Sequence, residues 1–97
     1  MQRYKRYEAV MDRIEYELLS ISKYRTGIDF DQNKELRVEG FMGKKLGIPP
    51  REIMLLCLDV EKVFNLKISD LDIENEYCNT FDTLLALIRE KKRSSIV

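Results

Sequence analysis

Residues 46–64 read Leu46-Gly47-Ile48-Pro49-Pro50-Arg51-Glu52-Ile53-Met54-Leu55-Leu56-Cys57-Leu58-Asp59-Val60-Glu61-Lys62-Val63-Phe64, and their order marks where a helix begins and which side of it is buried. Proline suits a first helical turn, where its missing N–H had no intrahelical partner to lose, and Glu52 favours the positive end of the helix dipole. Beyond the prolines, Ile53, Leu56, Cys57, Val60, Val63 and Phe64 follow the i, i+3, i+4, i+7 rule. Arg51, Asp59, Glu61 and Lys62 fall on the other face. The spacing predicts a helix over about 50–65.

Downstream, Ser69-Asp70-Leu71-Asp72 has the form of a capping box, in which Ser69 accepts from the backbone three residues on and Asp72 reaches back, so a short helix over 70–75 is expected. Asn79-Thr80-Phe81-Asp82 opens a last helix over 80–92. Its apolar positions are Phe81, Leu84, Leu85 and Ile88, and its basic end, Arg89-Glu90-Lys91-Lys92-Arg93, complements the negative pole of the helix. Upstream, Tyr4, Tyr7, Met11, Ile14, Leu18 and Ile21 alternate spacings of three and four, with Val10 and Leu19 widening the stripe, which predicts a long amphipathic helix over 3–23. Between them, residues 24–49 form a long polar connection rich in turn chemistry (Gly27, Asp29, Asp31, Gln32, Asn33), pinned to the core through Ile28, Phe30, Leu36 and Val38. A short helical turn within 35–45 is compatible with it. The fold class is all-α, a four-helix bundle of three long helices and one short, forming a single domain over 1–97.

Composition narrows the chemistry. The 97 residues carry 17 Lys+Arg against 17 Asp+Glu and no histidine. The absence of imidazole removes the Ser-His-Asp and Cys-His arrangements and the commonest general base at neutral pH, so the chain is not expected to be an enzyme. Charge is unevenly placed. Eight acids (Glu52, Asp59, Glu61, Asp70, Asp72, Glu74, Glu76, Asp82) face only Lys62 and Lys67 between 52 and 82. An acidic centre repels phosphate backbones, which disfavours a nucleic-acid binder working through Arg3, Lys5, Arg6 and Lys91–Arg93. Two cysteines make neither a disulfide framework nor a metal quartet, so no metal and no cofactor are expected. Cys57 belongs to the apolar side of its helix and Cys78 is read as the more exposed thiol. The N-terminus lacks the apolar core of a signal peptide and the apolar run Ile53–Leu58 is too short to span a bilayer, from which a reduced, cytoplasmic protein with no membrane partner is expected.

From Leu46 to Ile88 the chain resembles the acyl carrier protein family. The family introduces its second helix with Leu-Gly-x-Asp-Ser-Leu and ends it with a Phe followed four residues later by Ile. Here Leu46-Gly47-Ile48 opens the segment, and Phe64 and Ile68 keep the closing spacing. Tyr77-Cys78-Asn79-Thr80-Phe81 leading into Leu84-Leu85-Ala86-Leu87-Ile88 is similar to the family's approach to its final helix, with about two residues inserted. Phe41 or Met42 lies near the position of a family aromatic. The chain departs at the functional centre, where Asp-Ser-Leu falls on Pro49-Pro50-Arg51. The family's Ser takes up a phosphopantetheine arm whose thiol holds an acyl group, and Pro50 has no hydroxyl. Ser20, Ser22 and Ser69 lie elsewhere. The chain resembles the acyl carrier-related proteins of bacterial peptide-maturation (bacteriocin-type) systems.

The resemblance implies an all-α, acyl-carrier-like bundle without its prosthetic group, acting as a non-catalytic interaction module. Carrier proteins are read by partner enzymes through acidic and apolar residues along the second helix and the loop after it. Glu52, Asp59, Glu61, Asp70 and Asp72 occupy such places, with Met54 and Leu55 as apolar contacts. The implied partner is a protein with a basic patch, such as a modifying enzyme. Two alternatives stand beside it: a genuine carrier with an unusual attachment residue, and a helical assembly domain forming a homodimer through Tyr4, Tyr7, Met11 and Ile14.

Overall fold

The computed structural model describes residues 12–96, with side chains to residue 93. The described residues hold four α-helices, α1 (Arg13–Thr26), α2 (Pro50–Phe64), α3 (Asp70–Glu74) and α4 (Phe81–Ile96), one 3₁₀ turn (Lys34–Val38), and no strand. A helical bundle of three long helices and one short fits this order. α1 packs against α2 and α4, and the 3₁₀ turn packs against α4.

The first helix differs from expectation at both ends. Asp12 is extended (φ −80°, ψ 176°) and caps α1, its carboxylate accepting the Glu15 N–H at 2.9 Å. A helix running unbroken from 3 to 23 is therefore ruled out at Asp12, where a short carboxylate satisfies an orphan N–H better from a non-helical backbone. Residues 3–11 of that expectation, with Tyr4, Tyr7, Val10 and Met11, lie outside the described residues. At the other end α1 continues to Thr26 and stops at Gly27, whose left-handed φ of 80° lets its N–H reach the Lys23 carbonyl at 2.8 Å.

α2 begins and ends within a residue of its predicted bounds, with Pro49 at the N-cap position and left-handed Asn65 closing it. α3 carries the capping box in full: the Asp72 N–H donates to Ser69 Oγ at 3.1 Å and the Ser69 N–H donates to Asp72 Oδ2 at 2.9 Å. α4 opens through a reciprocal pair of threonines, each hydroxyl accepting the other's N–H at 3.0–3.1 Å, and it runs to Ile96, four residues past the predicted end.

The core joins Leu18 and Leu19 of α1, Leu56, Val60 and Phe64 of α2, and Phe81, Leu84, Leu85, Leu87 and Ile88 of α4. The connection 24–49 contributes as much as a helix would. Phe30 is fully buried, stacked on Phe81 (centroids 4.8 Å apart) and set edge-on to Phe41 at 6.3 Å. The Phe41 N–H donates to the Asn79 carbonyl and its carbonyl accepts the Ile48 N–H, both at 2.8 Å, which ties the loop to the turn before α4. Gly47, at φ 55°, makes the reversal that delivers Ile48 to the core just before the prolines. Ile28 and Leu36 pack on the core as expected. Val38 does not: it is exposed, because the 3₁₀ turn directs Leu36 and Arg37 inward and leaves its last residue to solvent.

Arg37 is the anchor that replaces it. Its Nε donates to the Phe30 carbonyl and its Nη1 to Glu15 of α1, each at 2.9 Å, while the guanidinium lies 5.0 Å over the Phe81 ring. A planar, always-charged group suits this buried fork better than an ammonium would.

Candidate functional site

The outer side of α2 and the whole of α3 form the candidate site. Helical geometry at 3.6 residues per turn puts Leu56, Val60 and Phe64 on one line and turns Met54 and Leu58 away from it. Met54 is 60% exposed and Leu58 50%. α3 buries none of its residues and presents Leu71, 63% exposed, and Ile73, 54% exposed. What holds α3 in place is polar, namely the capping box and a 2.9 Å ion pair from Lys91 of α4 to Asp72. Val63, assigned to the buried stripe from its spacing, sits at the stripe's edge and is exposed. Of the ten exposed large apolar side chains among the described residues, six (Met54, Leu58, Val63, Leu71, Ile73 and Tyr77) fall between 54 and 77. They fall on α2, α3 and the turn that follows, consecutive elements of the chain.

The five acids of the sequence reading divide into two groups. Asp59 takes a bidentate pair from Arg25 of α1 at 2.9 and 3.2 Å. Glu61 accepts the Ile68 N–H at 2.8 Å and so shapes the turn after α2. Asp72 serves α3 as described; burial pushes its carboxyl up, but the Ser69 N–H, Lys91 and the Ser69 hydroxyl together hold it below the usual value. These three carboxylates stabilise the fold. Glu52, half-buried in the first turn of α2, lies on the same side of that helix as Asp59, turned away from Met54, and Asp70 is exposed at the start of α3 next to Leu71. Met54 is exposed and Leu55 is half-buried. Sequence reasoning missed Leu58, Leu71 and Ile73. A helical wheel would have placed Leu58 opposite the Leu56–Val60–Phe64 line, and a helix of five residues is too short to carry a buried stripe.

Pro50 opens α2 exposed to solvent. The nearest downstream hydroxyl, Ser69, is engaged by the Asp72 N–H. The basic run of α4 is also occupied: Arg89 donates to Asp12 at 3.1–3.2 Å, Lys91 pairs with Asp72, Lys92 donates to the Phe64 carbonyl at 2.9 Å, and Arg93 pairs with Glu90. Beside α3, a cleft of about 930 Å³ is lined by Leu66, Tyr77, Ala86 and Leu87 together with Lys67 and Lys91. Among the described residues no helix is long and apolar enough to cross a membrane.

The cysteines reverse their expected order. Cys78 is buried and Cys57 half-buried, because the turn into α4 folds its Cys78 side chain inward while Cys57 lies at the edge of the α2 stripe. The Cys78 thiol is pushed well above its ordinary value by its contact with Cys57 and by burial. Cys78 is therefore not the more exposed thiol of the two.

No protein-family model, no curated protein and no solved structure matches this chain.

Proposed function

We propose that this chain is an acyl-carrier-like helical domain without a phosphopantetheine attachment residue, acting as a non-catalytic module that docks a partner protein through α2 and α3 in a peptide-maturation or natural-product system. The observation that carries the proposal is the outward display of Met54, Leu58, Leu71 and Ile73 on two consecutive helices, one of which buries nothing. Exposed apolar side chains are what interaction surfaces are built from. Asp70 beside Leu71, with the exposed Glu74 and Glu76 that follow, favours a partner with a basic patch, and such charges act mainly on encounter rate and specificity. The carrier-like part of the reading is supported by Gly47 shortly before α2, by the buried Phe64 and Ile68 at the family spacing, and by the buried Phe41. The partner class is an enzyme that modifies or delivers a substrate while held by this surface.

Incubation with coenzyme A and a broad-specificity phosphopantetheinyl transferase, followed by intact mass measurement, tests the module against a true carrier. The expected mass is unchanged, and a gain of one phosphopantetheine arm contradicts the proposal.

A further inference from the structure

The cleft of about 930 Å³ beside α3 is walled by the turn after α2, which brings Leu66 and Lys67, and by the turn after α3, which brings Tyr77. Its remaining wall is α4. Thr83, Ala86, Leu87, Glu90 and Lys91 all line the cleft and follow one another at i, i+3, i+4, i+7 and i+8, which is a single face of that helix. Ala86 stands in the middle of this face, where its one methyl group leaves the space open. The walls are fixed by bonds of the fold itself. The Leu66 N–H donates to the Glu61 carbonyl at 3.2 Å and the Tyr77 N–H to the Asp72 carbonyl at 3.1 Å. Lys92 joins α4 to the Phe64 carbonyl and Lys91 joins it to Asp72, each at 2.9 Å. A cleft held in this way is preformed, and its volume is that of a small-molecule site.

The charges of the lining indicate what the cleft takes. Three lysines, Lys67, Lys91 and Lys92, stand against two acids, Asp72 and Glu90. Both acids are already engaged, Asp72 by Lys91 and the Ser69 N–H, Glu90 by Arg93. Lys67 is exposed, and its ammonium has no partner among the described residues. An apolar hollow with one unengaged cation in its wall suits a ligand with an apolar body and one negative group. Tyr77 is 45% exposed and lines the same space. Aromatic rings gain from meeting other rings beyond the area they bury, which favours an aromatic body.

We propose that this cleft is a binding site for a small aromatic carboxylate, with the ring against Ala86 and Leu87 beside Tyr77 and the carboxylate at the Lys67 ammonium. Ala86 sets the depth of the site, because a larger side chain there occupies the place of the ring. Lys67 sets the preference for an anion. The site uses none of Met54, Leu58, Leu71 and Ile73, so it is independent of the docking role of α2 and α3 and stands or falls separately.

The test is a titration of the isotopically labelled full chain with naphthalene-2-carboxylate, followed in proton–nitrogen correlation spectra. Saturable shifts are expected, with a Kd of about 1 mM or tighter, centred on residues 65–67, 77 and 83–91. Ala86→Leu changes an exposed helical position to another good helix former. It is expected to weaken binding about tenfold, the effect of excess bulk in an apolar pocket. Lys67→Gln is expected to weaken it about threefold, as for an ion pair open to solvent. Naphthalene-2-carboxamide keeps the ring and loses the charge, and is expected to bind the wild type about threefold more weakly and to be indifferent to Lys67→Gln. The wild-type map decides the proposal even where a variant fails to fold. Shifts that do not saturate, that centre on α2 or on Leu71 and Ile73, or that are equal for carboxylate and carboxamide overturn it, as does unchanged binding by a folded Ala86→Leu.

Discussion

The guanidinium of Arg37 touches three separate parts of the chain, the Phe30 carbonyl, Glu15 of α1 and the face of Phe81, although it belongs to a 3₁₀ turn inside a long connection. Its side chain and that of Glu15 are each nearly buried. Removing one member of such a pair strands the other, and the loss exceeds the worth of the bond itself. Arg37→Met is expected to cost about 3 kcal/mol in a urea unfolding experiment, a large share of the total stability of a small domain. Ser22 is the opposite case. Its hydroxyl is fully buried in α1 and has no hydrogen-bond partner. Ser22→Ala removes a desolvated polar group and improves helix propensity, so it is expected to stabilise the protein by about 1 kcal/mol in the same experiment. Neither effect was legible in the sequence. Arg37 belongs to a stretch with no periodicity and Ser22 to an amphipathic helix, and the surroundings of both depend on what another element brings alongside.

Among the elements, α3 is the one whose existence rests on local chemistry. Ser69 and Asp72 specify its start through short-range hydrogen bonds, and this is why its position could be read from sequence alone. With no buried residue to hold it, α3 depends on that cap and on Lys91. Ser69→Ala is expected to cost about 1 kcal/mol globally and to raise amide exchange within 70–74 well above that of α2, as measured by hydrogen–deuterium exchange. α2 was legible for a related reason: proline at its start and a period of 3.6 residues are local signals. The break at Asp12 was harder to see. Tyr7, Met11, Ile14 and Leu18 keep the helical rhythm in sequence straight through it, while the Asp12 carboxylate caps the Glu15 N–H and also pairs with Arg89 of α4. The connection 24–49 hid its contribution most completely, since Phe30 and Phe41 are isolated aromatics whose burial follows from their stacking with Phe81.

On the scale of the whole molecule, the formal neutrality conceals a network in which acids act as structural ligands. The Glu15 N–H holds the Asp12 carboxyl down with help from Arg89; the Gln32 and Asp31 N–H groups and Lys23 do the same at Asp29; and Asp72 is lowered in α3. Each carboxyl is more acidic in the folded chain than its ordinary value of 3.8. As pH falls below that value the unfolded chain binds protons first, so the stability these groups contribute is complete above it and is lost as pH drops through the folded values. The urea midpoint is expected to be steady from pH 7 to pH 5 and to fall below about pH 4, and Asp72→Asn is expected to flatten that fall. With Asp59, Glu61 and Asp72 engaged in this way, Asp70, Glu74 and Glu76 are the exposed acids of α3 and the turn after it.

The most direct test is affinity capture from the native host with the wild-type chain as bait, alongside Met54→Ser/Leu58→Ser and, as a control on an exposed aromatic of α1, Tyr24→Ser, the helicity of each being checked first. The account predicts that a defined protein partner captured by the wild type and by Tyr24→Ser is lost with the α2 variant. Equal capture by all three baits would contradict it.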